Sequence, residues 1–144
     1  MEMSSSSTSV LEMERGTPAV KRGWLVEDIG IETLGGVFTP LLPRGQSVPC
    51  EVTETFSTGA DNQERLQLQL FRGTAELTRD VRHLGMLVVE ELPAGPRGTV
   101  MIDITFSVTA DAVILIAARE QSGHAVRLQR EPSSTHSSDP VRDW

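Results

Sequence analysis

The amino-acid sequence predicts an all-β fold, an antiparallel β-sandwich of about seven to eight strands, and three observations carry that reading. Apolar residues recur with period two: Leu66, Leu68 and Leu70 alternate with Gln67 and Gln69, and Ile102, Ile104, Phe106 and Val108 alternate with Met101, Asp103, Thr105 and Ser107. That spacing turns one face of a strand to a core and the other to water. Turn-forming clusters separate the segments at short intervals: Gly35-Gly36, Gly59-Ala60-Asp61-Asn62, Pro93 to Gly98, Asp111-Ala112 and Ser122-Gly123. They supply the positive φ, or the local side-chain hydrogen bonds, that reversals need. Third, no segment shows a clean 3.6-residue period. Ala75 to Leu84 has the composition of a helix but no apolar face, so it reads as a loop or a short turn.

Each strand can be justified in order. Ile29 to Arg44 reads as an apolar strand, the Gly35-Gly36 turn and a second apolar strand ending at a proline, the turn tight enough for a hairpin because both glycines tolerate positive φ. The Leu66 and Ile102 segments follow as half-buried strands. Val113-Ile114-Leu115-Ile116-Ala117 is a continuous apolar run, which suits a strand covered on both sides, and Ala125 to Gln129 forms a short last strand.

A chain of 144 residues is long enough for one modest core. Only 38% of it is hydrophobic, and the shortfall is concentrated in Ser4 to Ser9 and Ser133 to Ser138. Those runs bury too little apolar surface to offset ordering entropy. The expected organisation is a disordered tail over 1–23, one β-sandwich over 24–130 and a second disordered tail over 131–144.

Charge and cysteine content narrow the function classes. A net charge of −7 lacks the basic face that a nucleic-acid binder needs to displace phosphate counterions. Arg119, Arg127, Arg130 and Arg142 are interspersed with Glu120, Glu131, Asp139 and Asp143, as on a solvated surface. Cys50 is the single cysteine, so no internal disulfide forms and a reducing, cytoplasmic location is expected. No apolar run reaches membrane-spanning length, and Glu2, Glu12 and Glu14 sit where a secretory signal would be apolar.

No catalytic or metal site is expected. His83, His124 and His136 are scattered, no G-x-S-x-G nucleophile elbow occurs, and one cysteine with isolated histidines does not give metal-ligand spacing. Cys50 has no basic or imidazole neighbour in sequence that would activate it.

Several motifs in a fixed order resemble one known family. They are Ile29-Gly30-Ile31-Glu32-Thr33-Leu34-Gly35-Gly36-Val37; Thr55-Phe56-Ser57-Thr58-Gly59-Ala60-Asp61-Asn62-Gln63, similar to V-F-S-T-A-x-D-N-Q; Arg72-Gly73; and Leu84-Gly85. Leu92-Pro93-Ala94-Gly95-Pro96-Arg97-Gly98 is similar to I-P-P-A-P-R-G, and Ile102 to Asp111 to I-E-V-T-F-D-I-D-A-D. Together, over Ile29 to Gln129, they resemble the substrate-binding β-domain of the heat shock protein 70 (DnaK-type) chaperones.

The resemblance implies a twisted sandwich that clasps an extended peptide, holding its backbone by main-chain hydrogen bonds and one leucine-like side chain in an apolar pocket. Carried over by position, Ile31, Val37, Phe56, Leu66, Leu68 and Ile102 line that pocket. Leu34 and Gly59 form an arch over the peptide, and Thr33, Ser57, Thr58 and Gln63 supply polar contacts. From the residues alone, Ile31, Val37, Leu66, Leu68 and Ile102 read first as sandwich core; the resemblance turns Ile31, Val37, Phe56 and Ile102 towards the groove and leaves Leu66 and Leu68 in both roles. It also implies that Arg97 and Asp61 occupy lid-latch positions and Arg44 a position near an ATPase contact.

Departures carry expectations of their own. Gly59 stands where the family has alanine, which loosens the arch, and Leu66 stands where it has valine, which makes the pocket shallower. Asp111-Ala112 replaces Asp-Gly, so that turn loses its easy positive φ. The family hydrolyses ATP in an upstream domain, for which residues 1–23 are too short, and 131–144 do not resemble its helical lid.

The expected function is therefore a lidless peptide-binding module with no cofactor and no ATPase of its own. It would act as a holdase or adaptor for unfolded or extended polypeptides, with a chaperone ATPase or co-chaperone acting in trans. The alternative is a degenerate interaction module that binds one fixed partner, or itself through tail segments such as Val10-Leu11 or Val141 to Trp144.

Overall fold

The computed structural model describes residues 8–131. They form eleven strands and no α-helix, an all-β sandwich as the alternation requires. The strands are β1 (Ser9–Arg15), β2 (Val20–Lys21), β3 (Trp24–Leu25), β4 (Asp28–Thr33), β5 (Val37–Leu42), β6 (Cys50–Ser57), β7 (Arg65–Gly73), β8 (Arg82–Glu90), β9 (Met101–Val108), β10 (Val113–Glu120) and β11 (Arg127–Glu131). One sheet has the order β1-β10-β9-β6, the other β11-β8-β7-β4-β5, and every pairing is antiparallel; β2 and β3 form a separate small hairpin.

The core lies between the two sheets. β9 shows the alternation most clearly, with Ile102, Ile104, Phe106 and Val108 all buried and the residues between them half-buried. Ile114, Ile116 and Ala118 join them from β10, and Ile29, Ile31, Leu70, Leu87 and Val89 face them from the other sheet. Burying side chains of this size stabilises a fold by about 1.5–3 kcal/mol each.

Four expectations are corrected. The tail assigned to 1–23 is part of the fold from Ser9 onward: β1 pairs along the edge of β10, Met13 is core, and Thr17 and Ala19 are buried. A bulge between Glu12 and Glu14 breaks the period of β1, which is why its apolar residues did not register as a strand. Residues 1–7 and 132–144, including the remainder of both expected tails, lie outside the described residues; Glu131 itself closes β11. Second, the apolar run in β10 is flanked by β1 and β9 in its sheet, yet its outer residues Leu115 and Ala117 are only half-buried. Third, Ala75 to Val81 is the expected loop with a short turn, the 3-10 turn Thr78–Asp80, but Arg82 to Leu84 depart from it as the start of β8. Fourth, the last strand lies two residues further on than expected. The count exceeds eight because β1, β2 and β3 come from residues read as tail or its boundary.

The Asp111-Ala112 turn is held as expected for a lost glycine: Ala112 takes φ 64°. Thr109 braces it, its Oγ1 accepting from the backbone N–H groups of Asp111 and Val113 at 3.2 Å each.

Candidate functional site

The β4–β5 hairpin and the β6–β7 connection come to the same end of the sandwich. Strand β4 runs antiparallel to β7 with Ile31 opposite Leu70, so its tip, Leu34 to Gly36, points towards the start of β7. The tip is the tight turn the sequence indicates: Gly35 and Gly36 take φ 85° and 75°. Strand β6 reaches the same end, with Phe56 opposite Ile102 and Ser57 opposite Met101.

Apolar side chains at this end step outward from core to water. Ile102 is fully buried and Ile31 is 7% exposed, so both form the floor; Phe56, Leu66 and Leu68 are half-buried against the core cluster. Val37 is 40% exposed and Leu34 is 91% exposed at the lip. Thr33 pairs with Val37, and Ile31 lies two residues earlier on the same face of β4. Ile31 and Ile102 are thus core, Phe56, Leu66 and Leu68 pack against that core, Leu34 shares the adjoining cavity lining with Leu68, and Val37 stands opposite Thr33 on β5.

A gap in the sheet opens beside this slot. The β4–β7 ladder stops at the Ile31–Leu70 pair. Beyond it lies a cavity of about 220 Å³ lined by Glu32, Thr33, Leu34, Gly35, Gly36, Gln67, Leu68 and Gln69. It is smaller than the about 300–1,000 Å³ of typical small-molecule sites. Gln67 and Gln69 are lining residues that the alternation places simply towards water, and Glu32 joins them from β4. Nothing in the sequence marks where the ladder stops.

Three of the four polar candidates have partners within the protein. The Thr33 hydroxyl lies 2.8 Å from that of Thr39. Thr58 is buried, and its Oγ1 accepts from the Gly98 N–H at 3.0 Å. Gln63 spans its own loop: its Oε1 accepts from the Gly59 N–H at 2.8 Å and its Nε2 donates to the Arg65 carbonyl at 2.7 Å. These groups fix the rim, while Ser57 is exposed at the end of β6. Neighbouring residues extend the bracing. Asp61 Oδ1 accepts from the Arg97 backbone N–H at 2.9 Å, and Asn62 Oδ1 from the Gly95 N–H at 3.0 Å.

The arch is open. A Cβ built on Gly59 would meet no atom within 4 Å, so neither Leu34 nor any other side chain closes over that point.

On the outer face, Phe38 and Phe71 meet edge-to-face with centroids 6.4 Å apart, and Phe71 lies 4.8 Å from the His83 ring. Burial pushes the His83 pKa down, aided by the charge of Arg130 and opposed by that of Glu32. Its Nε2 lies 2.6 Å from Gln69 Oε1. Cys50 is half-buried, and burial pushes its thiol up, away from the reactive thiolate. Among the described residues no group of three His, Cys, Asp or Glu is placed to hold a metal ion, and no helix is long and apolar enough to cross a membrane.

Against known proteins, the family model described as "Hsp70 protein" matches residues 25–143. The chain belongs to the Hsp70 family. Among its Hsp70 relatives, the mitochondrial heat shock protein SSC3 of Saccharomyces cerevisiae is 38% identical over 96 residues, which cover 67% of this chain and 15% of that protein. The chaperone protein dnaK of Cyanidioschyzon merolae is 36% identical over 94 residues, 65% of this chain and 16% of that protein. The chain therefore matches only about a sixth of the length of these relatives. Strands β1 and β2 precede the Hsp70 match, whereas every residue of the slot lies inside it.

Proposed function

We propose that this Hsp70-family sandwich binds extended apolar segments of unfolded polypeptides in the slot between the β4–β5 hairpin and the β6–β7 connection. The observation that carries the reading is the graded exposure from Ile31 and Ile102 through Phe56, Leu66 and Leu68 to Leu34. A buried apolar floor with half-buried side chains packed against it, beside the end of the β4–β7 ladder, suits what an extended segment presents: backbone polar groups and a side chain to bury. Burial of one leucine-sized group contributes about 1.5–3 kcal/mol and each net hydrogen bond about 0.5–1.5 kcal/mol. After ordering costs, the sum is weak to moderate affinity with little sequence discrimination.

The finer proposal is that the module works as a holdase or adaptor without hydrolysing ATP, with any ATPase or co-chaperone supplied in trans, in the cytoplasm. Its support is that every residue assigned to the slot comes from the sandwich itself. The rival reading, one fixed partner or self-association, loses one route: Val10 and Leu11 already pair with Ala117 and Ile116 in β1. Val141 to Trp144 lies outside the described residues.

The test is fluorescence anisotropy of a labelled leucine-rich heptapeptide against the full chain, without nucleotide. Saturable binding with fast exchange is expected, weakened severalfold by Leu34→Asp, a lip substitution that leaves the core untouched. An anisotropy that stays flat at saturating protein overturns the proposal.

A further inference from the structure

The lip of the slot is held from outside by a segment that never faces it. Residues Ala75 to Asp80 run along the outer edge of β5 as a strap. The Phe38 N–H donates to the Glu76 carbonyl at 2.9 Å, Leu77 bridges Val37, and the Thr78 N–H donates to the Gly36 carbonyl at 2.9 Å. The Thr78 hydroxyl lies 3.1 Å from the same Gly36 carbonyl and 3.1 Å from Glu32 Oε2. A hydroxyl has one proton, so the carbonyl of the turn and the carboxylate at the base of the hairpin share a single donor.

These contacts fall on the two residues that set where Leu34 sits. Gly36 lies two residues after it in the turn with φ 75°, and Glu32 lies two residues before it on β4. Leu34 itself is too exposed to be held by packing. The β4–β7 ladder, which would otherwise fix this stretch, has already ended at Ile31. The Thr33 and Thr39 hydroxyls tie the two hairpin strands to each other but not to the rest of the sandwich. The strap is what anchors the tip to the β7–β8 connection.

We infer that Thr78 is a positioning residue for the slot: its hydroxyl holds the Leu34 lip and so sets how long a bound segment stays, without touching that segment. The inference rests on the peptide-binding reading above and assigns the control of residence time to the outer face. Loss of the hydroxyl leaves the backbone bonds of the strap in place but removes its tie to Glu32 and its second bond to Gly36, which loosens the tip and lowers the barrier to release more than it alters encounter.

The experiment measures release of the labelled leucine-rich heptapeptide by stopped-flow competition from the full chain, alongside thermal melting, for Thr78→Val and Thr78→Ser. Removing the shared donor in Thr78→Val is expected to accelerate release about five- to tenfold, within the scale of one net hydrogen bond. Thr78→Ser keeps the donor and is expected to release within about twofold of the parent. Unchanged release from Thr78→Val, with or without a lower melting point, overturns the inference and leaves peptide binding standing. Equal acceleration in both variants also overturns it, because shape rather than the donor would then matter. A parent chain that holds no peptide overturns the reading beneath it.

Discussion

The Arg72 guanidinium grips both carboxylate oxygens of Glu14, with Nε to Oε1 at 2.8 Å and Nη2 to Oε2 at 3.2 Å, and so fastens β1 to β7 across the open side of the sandwich. Its Nη1 reaches Glu27 Oε1 at 2.8 Å. The Arg72 side chain is 10% exposed, whereas the two carboxylates keep more contact with water. The bulge in β1 places Glu14 beside buried Met13 and turns it to this partner.

Replacing Arg72 with alanine leaves two partly buried carboxylates facing each other. Breaking a fully buried pair costs about 3–5 kcal/mol; partial exposure of the acids reduces this to about 2–3 kcal/mol. The expected result is a clear drop in the urea midpoint for Arg72→Ala, while Arg15→Ala, whose partner Glu12 is an exposed neighbour, leaves it nearly unchanged. Equal midpoints for the two variants would show that β1 is not fastened this way.

The same pair sets an acid limb. Burial tends to raise the Glu14 pKa, but the hydrogen bonds from Arg72 and Thr17 and the charges of Arg72 and Arg82 outweigh it and hold the group below its ordinary 4.5. A carboxyl depressed in the folded state contributes stability that is fully present above its unfolded value and lost as pH falls through the folded one. Stability of the parent should therefore decline as pH drops below about 4.5. In Glu14→Gln the protein starts less stable at neutral pH, and that part of the decline is flattened. Parallel stability-versus-pH curves for the two proteins would remove Glu14 from the account.

What was legible in the sequence was what period and turn chemistry encode. Gly35-Gly36 identified the hairpin because two positive φ values leave few other residues, and β9 was read from the strict alternation of Ile102 to Val108. Strand β1 was hidden because its charged residues outnumber its core contacts and its bulge removes the period; its anchor, Arg72, lies 58 residues from Glu14. The apolar residues proposed for the slot come from the resemblance, because from the residues alone most of them read as sandwich core. The internal commitments of Thr33, Thr58 and Gln63 were not, since a hydroxyl or amide in sequence does not reveal which backbone group it faces. The strap was missed for a related reason: Ala75 to Asp80 carries no apolar pattern and is defined by edge hydrogen bonds to β5.

Ala112 offers a stabilising change. An alanine held at φ 64° carries a left-handed penalty of about 1–2 kcal/mol, which glycine avoids. Glycine also gives back about 0.5–1 kcal/mol through the greater freedom of the unfolded chain. The net expectation for Ala112→Gly is a gain of about 0.5–1 kcal/mol, read as a higher urea midpoint with unchanged slope. The turn lies between β9 and β10, remote from the hairpin and the β6–β7 connection, so heptapeptide affinity should stay at the parental value. A lower midpoint would mean that the turn is not strained.

Gly59 offers the converse test, at the slot itself. It carries no positive φ, and an added Cβ meets nothing within 4 Å, so alanine fits without displacement. Restricting the unfolded chain alone should raise stability by about 0.4–1 kcal/mol in Gly59→Ala. On the peptide-binding reading, in which Gly59 belongs to the arch, the added methyl narrows the exit for a bound segment. Slower heptapeptide release in Gly59→Ala, combined with faster release in Thr78→Val, would show that the two sides of the opening act on one occupant. A Gly59→Ala protein that is more stable but releases peptide at the parental rate would separate the arch from the slot and confine Gly59 to the fold.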